Sequence, residues 1–307
     1  MADLVAVVIN VHTDLVATLA LVSLRRNAPD IPLRLVNCEP SPTSRDYFAD
    51  LAIKFDFEVV EENIGPHGEA LDRLFRAESA DLVLLLDSDA EVLDPDLVPK
   101  CGAFFENDQV FGAGFVHGPA WLGEAQGRPD GGGYYQERAW LPFAIFRTEM
   151  VQEALQAGHS FAHFIVYNDV AASPRLSSLL AGRFPNLNHH SPHFARLPEL
   201  FRTRWQSRPF KNLAWLRRDY YGQRPNYVYY DTGASVYQYC KYQRGWIFAG
   251  IDANLHEPYV AHYHGVTRHT LSGELNATAL ASVSDTVVRR LGEYGLQESD
   301  LAAVAVQ

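Results

Sequence analysis

The first hundred residues alternate short apolar runs with longer stretches of helical spacing, and few folds accept that pattern. LVAVVIN (4–10) reads as a buried strand. Residues 13–27 place Leu15, Leu19, Val22 and Leu24 along a helix. PLRLVN (32–37) is a second strand, followed by the turn-rich CEPSPTS and a helix over 44–54 capped by Thr43 or Ser44. FEVVEE (57–62) is a third strand, NIGPHG a loop, EALDRLFRAES a helix, and LVLLLD (82–87) a fourth strand. Such alternation predicts a mostly parallel α/β sheet covered on both faces. Sheets of this kind bind ligands at the carboxyl ends of their strands.

The fourth strand ends on Asp87-Ser88-Asp89. Carboxylates two residues apart at a strand end reach one hard cation, because the chain turns there and breaks the alternation of faces. Mg²⁺ or Mn²⁺ held in this way keeps open positions for phosphate oxygens. The competing reading is a helix cap or pairing with arginines. The place of the motif, directly after an apolar strand in an α/β pattern, favours the cation.

Further along, a helix is predicted over 94–107, a strand over 109–118 and a Gly-rich surface loop over 123–133. A strand and then a helix fit 141–158. The stretch 159–230 reads as helices and long loops packed over the sheet. A helix follows over 232–245, then two short strands, WIFAGI and YVAHYHG, and a surface helix over 285–296. No P-loop, GxSxG or HExxH sequence is present, so hydrolase chemistry has no local motif.

Net charge −11 argues against a nucleic-acid partner, because a phosphate backbone selects basic faces. Hydrophobic residues at 47% are ordinary for a globular chain, yet no stretch approaches the ~20 apolar residues of a membrane span. Cys38, Cys101 and Cys240 lie far apart with no CxxC, and the first residues lack a basic n-region and a cleavage site and carry too short an apolar part for a signal peptide. Reduced thiols and a cytoplasmic location are therefore expected. The sequon at Asn276 then has no role.

VEENIGPHGEALDRLFRAESADLVLLLDSDAEVLDPDLV (60–98) resembles the nucleotide-sugar-binding half of GT-A fold glycosyltransferases, above all the family-two type. Glu62, Asn63, Gly65, Asp87, Ser88 and Asp89 carry the resemblance, which extends over residues 4–118. It implies a GT-A-like, Rossmann-like α/β fold: a mostly parallel mixed sheet flanked by helices, with an irregular C-terminal acceptor region. One catalytic domain over 1–307 is expected, its donor half 1–118 and its acceptor half 119–307. Asn10, Val11 and His12 match the loop that lines the nucleoside pocket. Asn37 sits where the family often has Asp, and Glu39 is the nearby substitute. Asn63 matches the loop beside the donor. Asp87 would face the sugar or ribose, with Ser88 next to it, and Asp89 would bind the metal directly.

YVAHYHGVTRHT (259–270) carries two histidines at i and i+2, which share one face of a strand. Imidazole and carboxylate form a good divalent ligand set. The segment resembles a late stretch of the family in which a histidine completes the metal site. His262 matches it by position, and His264 is the other candidate. Arg268 and His269 are candidates for the diphosphate. An inverting transfer also needs a carboxylate to take the acceptor proton. Asp231 holds the place of the family's acidic pair, though it is equally a favoured helix N-cap, and both readings stand. Asp169 is the reserve base.

Residues 133–151 resemble the family's acceptor-side strand. There Trp121, Tyr134, Tyr135 and Trp140 either stack on a sugar or simply pack, with packing preferred for any single one. The basic and aromatic segment 200–221 reads as a solvated face first and an anionic-acceptor pocket second. The expectation is a glycosyltransferase that uses Mn²⁺ or Mg²⁺. It would move a sugar from a nucleotide-diphosphate donor to a hydroxyl on a small molecule or glycan, with inversion favoured. The rivals are a retaining GT-A transferase, a nucleotidyltransferase, and a nucleotide- or sugar-binding protein without turnover. The nucleotidyltransferase is disfavoured because NVHTDLVATL, after the first strand, has no glycine.

Overall fold

The computed structural model describes residues 3–118, 120–121, 133–167, 227–251, 256–263, 277–301 and 303–304. The chain runs β1 (Leu4–Asn10), α1 (Asp14–Asn27), β2 (Leu33–Cys38), α2 (Pro42–Phe55), β3 (Glu58–Glu62), α3 (His67–Ala77) and β4 (Leu82–Asp87). It continues through β5 (Ala90–Val92), α4 (Leu97–Ala103), β6 (Val110–His117), β7 (Ala120–Trp121), β8 (Gly133–Tyr135), β9 (Arg138–Arg147) and α5 (Thr148–Gln156). The remaining described elements are β10 (Phe164–Tyr167), β11 (Tyr227–Tyr230), α6 (Ala234–Gln238), β12 (Ile247–Gly250), β13 (Val260–His262), α7 (Ala277–Glu293) and α8 (Glu298–Leu301).

Seven strands form the main sheet, in the order β12-β6-β9-β4-β1-β2-β3. Within it β9 runs against both neighbours, and the other adjacent pairs are parallel. The period of two along each strand sorts side chains onto two buried faces. Ala6, Val8, Leu82, Leu84 and Leu86 meet α1, α2, α4 and α7 through residues such as Leu19, Phe48, Leu97 and Leu291. Val5, Val7, Val83 and Leu85 meet α3, α5 and α6 through Phe75, Val151 and Val236. The expected mostly parallel mixed sheet, flanked by helices, is therefore present. Among the described residues no helix is long and apolar enough to cross a membrane.

Several boundaries differ from the sequence reading for local reasons. Helix α2 starts at Pro42, whose fixed φ suits the first helical position, and Ser41 caps it by accepting the Ser44 N–H at 3.1 Å. The stretch 94–107 holds a shorter helix, α4, that tightens into a 3₁₀ turn at Phe104–Glu106. Segment 232–245 begins as α6 and widens into a π-helical turn at Tyr239–Gln243. The C-terminal half is more sheet-like than expected. Strands β10, β11, β8 and β7 make a second sheet, and β13 pairs with β5 in a third. The remainder of the Gly-rich loop and of 159–230 lies outside the described residues.

Helix α3 is drawn tightly onto the segment that precedes β10. A Cβ at Gly68 would sit 2.5 Å from the backbone of Ala162. The nearby Asp72 carboxylate accepts the Ser160 hydroxyl at 2.6 Å and the Phe161 N–H at 2.8 Å. Gly68→Ala should therefore lower stability by about 1–3 kcal/mol, the usual cost of overpacking, in urea or thermal unfolding.

Candidate functional site

The order of the main sheet reverses at β1. Helix α1 leads from β1 to β2 on one side, while β4 pairs on the other. A crevice opens where the carboxyl ends of two such strands diverge. Asp87 ends β4 beside Ile9 of β1, and Asn10 ends β1 beside Asn37 of β2. The chain then turns through Ser88 and Asp89 into β5.

The short β5–β13 ladder brings a distant histidine to this point. His262 lies opposite Ala90, and the Tyr263 N–H donates to the Asp89 carbonyl at 2.8 Å. His262 Nε2 comes to 3.1 Å from Asp89 Oδ1. One ligand atom each from Asp87, Asp89 and His262 lies within 4.8 Å of the others. Two carboxylates and an imidazole at this spacing fit a divalent cation such as Mn²⁺ or Mg²⁺. The electrostatics agree: burial pushes the Asp87 carboxyl up, His67 and His262 pull it down, and Asp89 and Asp231 push it further up. A cation would relieve this excess of negative charge.

A buried polar network fixes the turn. Asn10 Nδ2 donates to Asp14 Oδ1 at 2.7 Å and to Asn37 Oδ1 at 2.9 Å. Asn10 Oδ1 accepts the Thr13 N–H and hydroxyl at 3.1 and 2.9 Å. Thr13 Oγ1 lies 3.2 Å from Ser88 Oγ, and Asn37 Nδ2 donates to Ser44 Oγ at 3.3 Å. Asn10, Asn37 and Ser88, expected beside the donor, are buried, and these side-chain bonds hold the strand ends in place. Val11 is half-buried. His12 is exposed on a left-handed backbone (φ 55°) and faces solvent beyond the end of β1.

Next to these strand ends, over β2 and β3, lies an open cleft of about 730 Å³. Glu39, Pro40, Arg45, Glu61, Glu62, Asn63, Ile64 and Arg73 line it, so Glu39 and Asn63 share one cleft. Arg45 pairs with Glu61 at 2.6 Å and Arg73 with Glu62 at 3.2 Å. The Glu39 N–H donates to the Glu62 carbonyl at 2.8 Å and ties the two loops together.

Asp231 follows β11. Its Oδ2 pairs with Arg138 at 2.6 Å, and its Oδ1 accepts the Thr232 N–H at 2.9 Å. Helix α6 starts three residues later, and the N-cap position belongs to Gly233 (φ 81°), so the cap reading is corrected. The Gly233 N–H donates to the Phe161 carbonyl at 2.9 Å. Asp72, on α3, therefore fixes the segment that fixes the Asp231 turn. Burial pushes the Asp72 carboxyl up, and its Ser160 and Phe161 donors oppose that rise.

Trp140 is buried beneath His256, with ring centroids 4.3 Å apart and planes 19° from parallel, and it meets His262 edge-on at 5.6 Å. It packs the histidines and has no face left for a sugar. Tyr135 meets Tyr229 edge-on at 4.8 Å and lies under Arg138. The side chains of Trp121 and Tyr134 lie outside the described residues. So do His264, Asp169, Arg268, His269 and the basic segment 200–221.

No protein-family model matches the chain, and no curated protein matches it. Solved structures do align. A Pyrobaculum calidifontis mannosyltransferase, in complex with GDP-Man and Mn²⁺, gives a TM-score of 0.39 at 12% identity, over 50% of this chain and 46% of that one. A Mycobacterium tuberculosis glucosyl-3-phosphoglycerate synthase, with Mn²⁺, UDP-glucose and phosphoglyceric acid, gives 0.34 at 20% identity over 49% and 58%. S. aureus TarS 1–349, with UDP-GlcNAc, gives 0.36 at 16% identity over 49% and 47%. The chain spans about half the length of these structures. Likeness of this size assigns no activity.

The sequence reading passed over four residues at the site: His67, His117, Arg138 and His256. His67 opens α3 directly after the loop at the carboxyl edge of β3, and that position was the one sequence signal that could have marked it. Arg138 became significant only through its pairing with Asp231. His117 is half-buried, and burial, with Arg138 beside it, pulls its pKa down to about 4. Its folded pKa lies below the unfolded value, so the unfolded chain binds more protons between about pH 6.5 and 4 and stability falls on acidification. In metal-free protein this loss should reach about 1–3 kcal/mol, discounted for partial exposure. Urea titrations across that range should show a smaller loss in His117→Asn.

Proposed function

We propose that this chain is a metal-dependent glycosyltransferase of the GT-A type, transferring a sugar from a nucleoside-diphosphate donor to an acceptor hydroxyl. The observation that carries this reading is the Asp87, Asp89 and His262 cluster at the reversal of the sheet, beside a cleft over β2 and β3. From β4 to β2 is two strand spacings, roughly 10 Å. A nucleoside in the cleft would therefore lay its diphosphate over the end of β1 and reach the cluster.

A divalent ion held by Asp87, Asp89 and His262 would supply Lewis-acid stabilisation of the leaving diphosphate. Asn63 and Glu39 meet the nucleoside, while His12 and Val11 bound the crevice. Asn10, Asn37 and Ser88 act through the network that keeps Asp87 and Asp89 in place. Asp231, oriented by Arg138, takes the proton as the acceptor oxygen attacks the anomeric carbon. The carbon–oxygen bond to the diphosphate breaks, its electron pair leaves with the diphosphate, and the configuration inverts. The Arg138 ion pair favours a second reading, retaining transfer, in which Asp231 only orients the acceptor. Residues 1–118 supply the donor half. The buried thiols of Cys38, Cys101 and Cys240 suit the reducing cytoplasm.

Calorimetric titration with UDP, GDP and dTDP, each with and without Mn²⁺, tests the donor site. One of them should bind only with Mn²⁺, and Asp89→Ala should abolish that binding. Binding that ignores both the metal and Asp89 refutes the site. Once a donor is known, Asp231→Asn should lower kcat about 10²–10⁴-fold with KM for the donor little changed. The anomeric configuration of the product, read by NMR, separates inversion from retention.

A further inference from the structure

Two residues beyond Asp89, strand β5 carries a third carboxylate. Glu91 is 1% exposed and belongs neither to the cluster nor to the cleft. Its Oε1 accepts from Arg290 Nε at 2.8 Å, from a second Arg290 nitrogen, and from the Tyr294 hydroxyl at 2.9 Å. Its Oε2 accepts the Tyr263 hydroxyl at 2.7 Å. Arg290 belongs to α7 and Tyr294 lies just past its end, so one buried carboxylate ties β5, β13 and the C-terminal helix together. Tyr294 is pushed up to about 12, first by burial and then by Glu91, and burial and Glu91 raise Tyr263 as well.

Tyr263 is the residue after His262. Its backbone is fastened to Asp89 and its side chain to Glu91, so the His262 strand is held at two points beside the cluster. Close packing alone would pin α7 more cheaply with apolar side chains, as Val287 and Leu291 already do on the same helix. A buried ion pair adds direction instead: Arg290 orients the Glu91 carboxylate so that its other oxygen meets the Tyr263 hydroxyl at the end of β13.

We infer that Glu91, Tyr263 and Arg290 are positioning residues for metal binding, through which α7 sets the placement of His262 against Asp89. This rests on the reading of Asp87, Asp89 and His262 as a divalent-metal site. Groups that orient metal ligands from behind typically change metal affinity 10–100-fold when removed.

The test is Mn²⁺ binding to the full chain, read from the EPR signal of free Mn²⁺, on the parent, Tyr263→Phe, Glu91→Gln and Arg289→Ala. Tyr263→Phe keeps the ring and removes one hydrogen bond, so it serves if Glu91→Gln does not fold. Arg289 pairs with Glu293, which also meets Arg290, on the exposed side of α7; its loss leaves the Glu91 bonds in place and so reports on the helix end. The expected result is about a 10-fold rise in the Mn²⁺ Kd for Tyr263→Phe, and at least as much for folded Glu91→Gln, with Arg289→Ala unchanged. A Tyr263→Phe Kd within twofold of the parent overturns the inference and leaves the metal reading standing. An equal loss in Arg289→Ala also overturns it, since the effect would then be general to the helix. A parent chain that binds no Mn²⁺ overturns both.

Discussion

Strand β4 pairs with β1 on one side and β9 on the other, and both faces of Leu82–Leu86 are covered. Everything at the site depends on that placement. A strand in the middle of a sheet cannot slip by one residue without exchanging its two faces, and here each face already meets a different set of helices. The register is therefore fixed, and Asp87 must emerge at the carboxyl edge, beside the end of β1. Side chains that would be solvated at the rim of a smaller fold are carried into the interior.

Charge in such a place requires organisation on every side. The Asn10, Thr13, Asn37 and Ser88 network bonds the amides and hydroxyls beneath the turn to one another, and the β5–β13 ladder supplies the imidazole above it. Trp140, buried and edge-on to His262, backs the imidazole with an indole wall, and His256 stacks on that indole. A dry wall of this kind strengthens electrostatic interaction with a bound cation, because less water screens it. Asp231 faces the same field from another element, with Arg138 balancing its charge.

The N-terminal third was legible in the sequence because its signals are local. Apolar runs of strand length, helical spacing and a pair of aspartates at a strand end are all readable within a few residues. The remainder was not, because its elements take their meaning from distant partners. Strand β13 is three residues long and exists only against β5. Arg138 gives no periodic signal, and only the fold sets it against Asp231. The amides of Asn10 and Asn37 were read as ligand contacts because sequence places them at the right edge. Only the coordinates show that they point into the protein and bond each other. Trp140 is the reverse case, an aromatic whose packing role was the better reading of its type.

His262 and Asp89 are separated by 173 positions along the chain, and Glu91 and Arg290 by 199. Contacts of such long range form late, because the loop they close must first be brought together. A chain emerging from the ribosome presents β1 to β4 well before β13 or α7 exists. During that interval the two aspartates stand without their histidine and without the helix that covers their neighbouring strand. Assembly of the Asp87, Asp89 and His262 cluster is thus coupled to synthesis of β13. A chain that has not yet reached His262 holds both carboxylates without the imidazole, so the cluster closes only once β13 has been made and is pinned only once α7 follows.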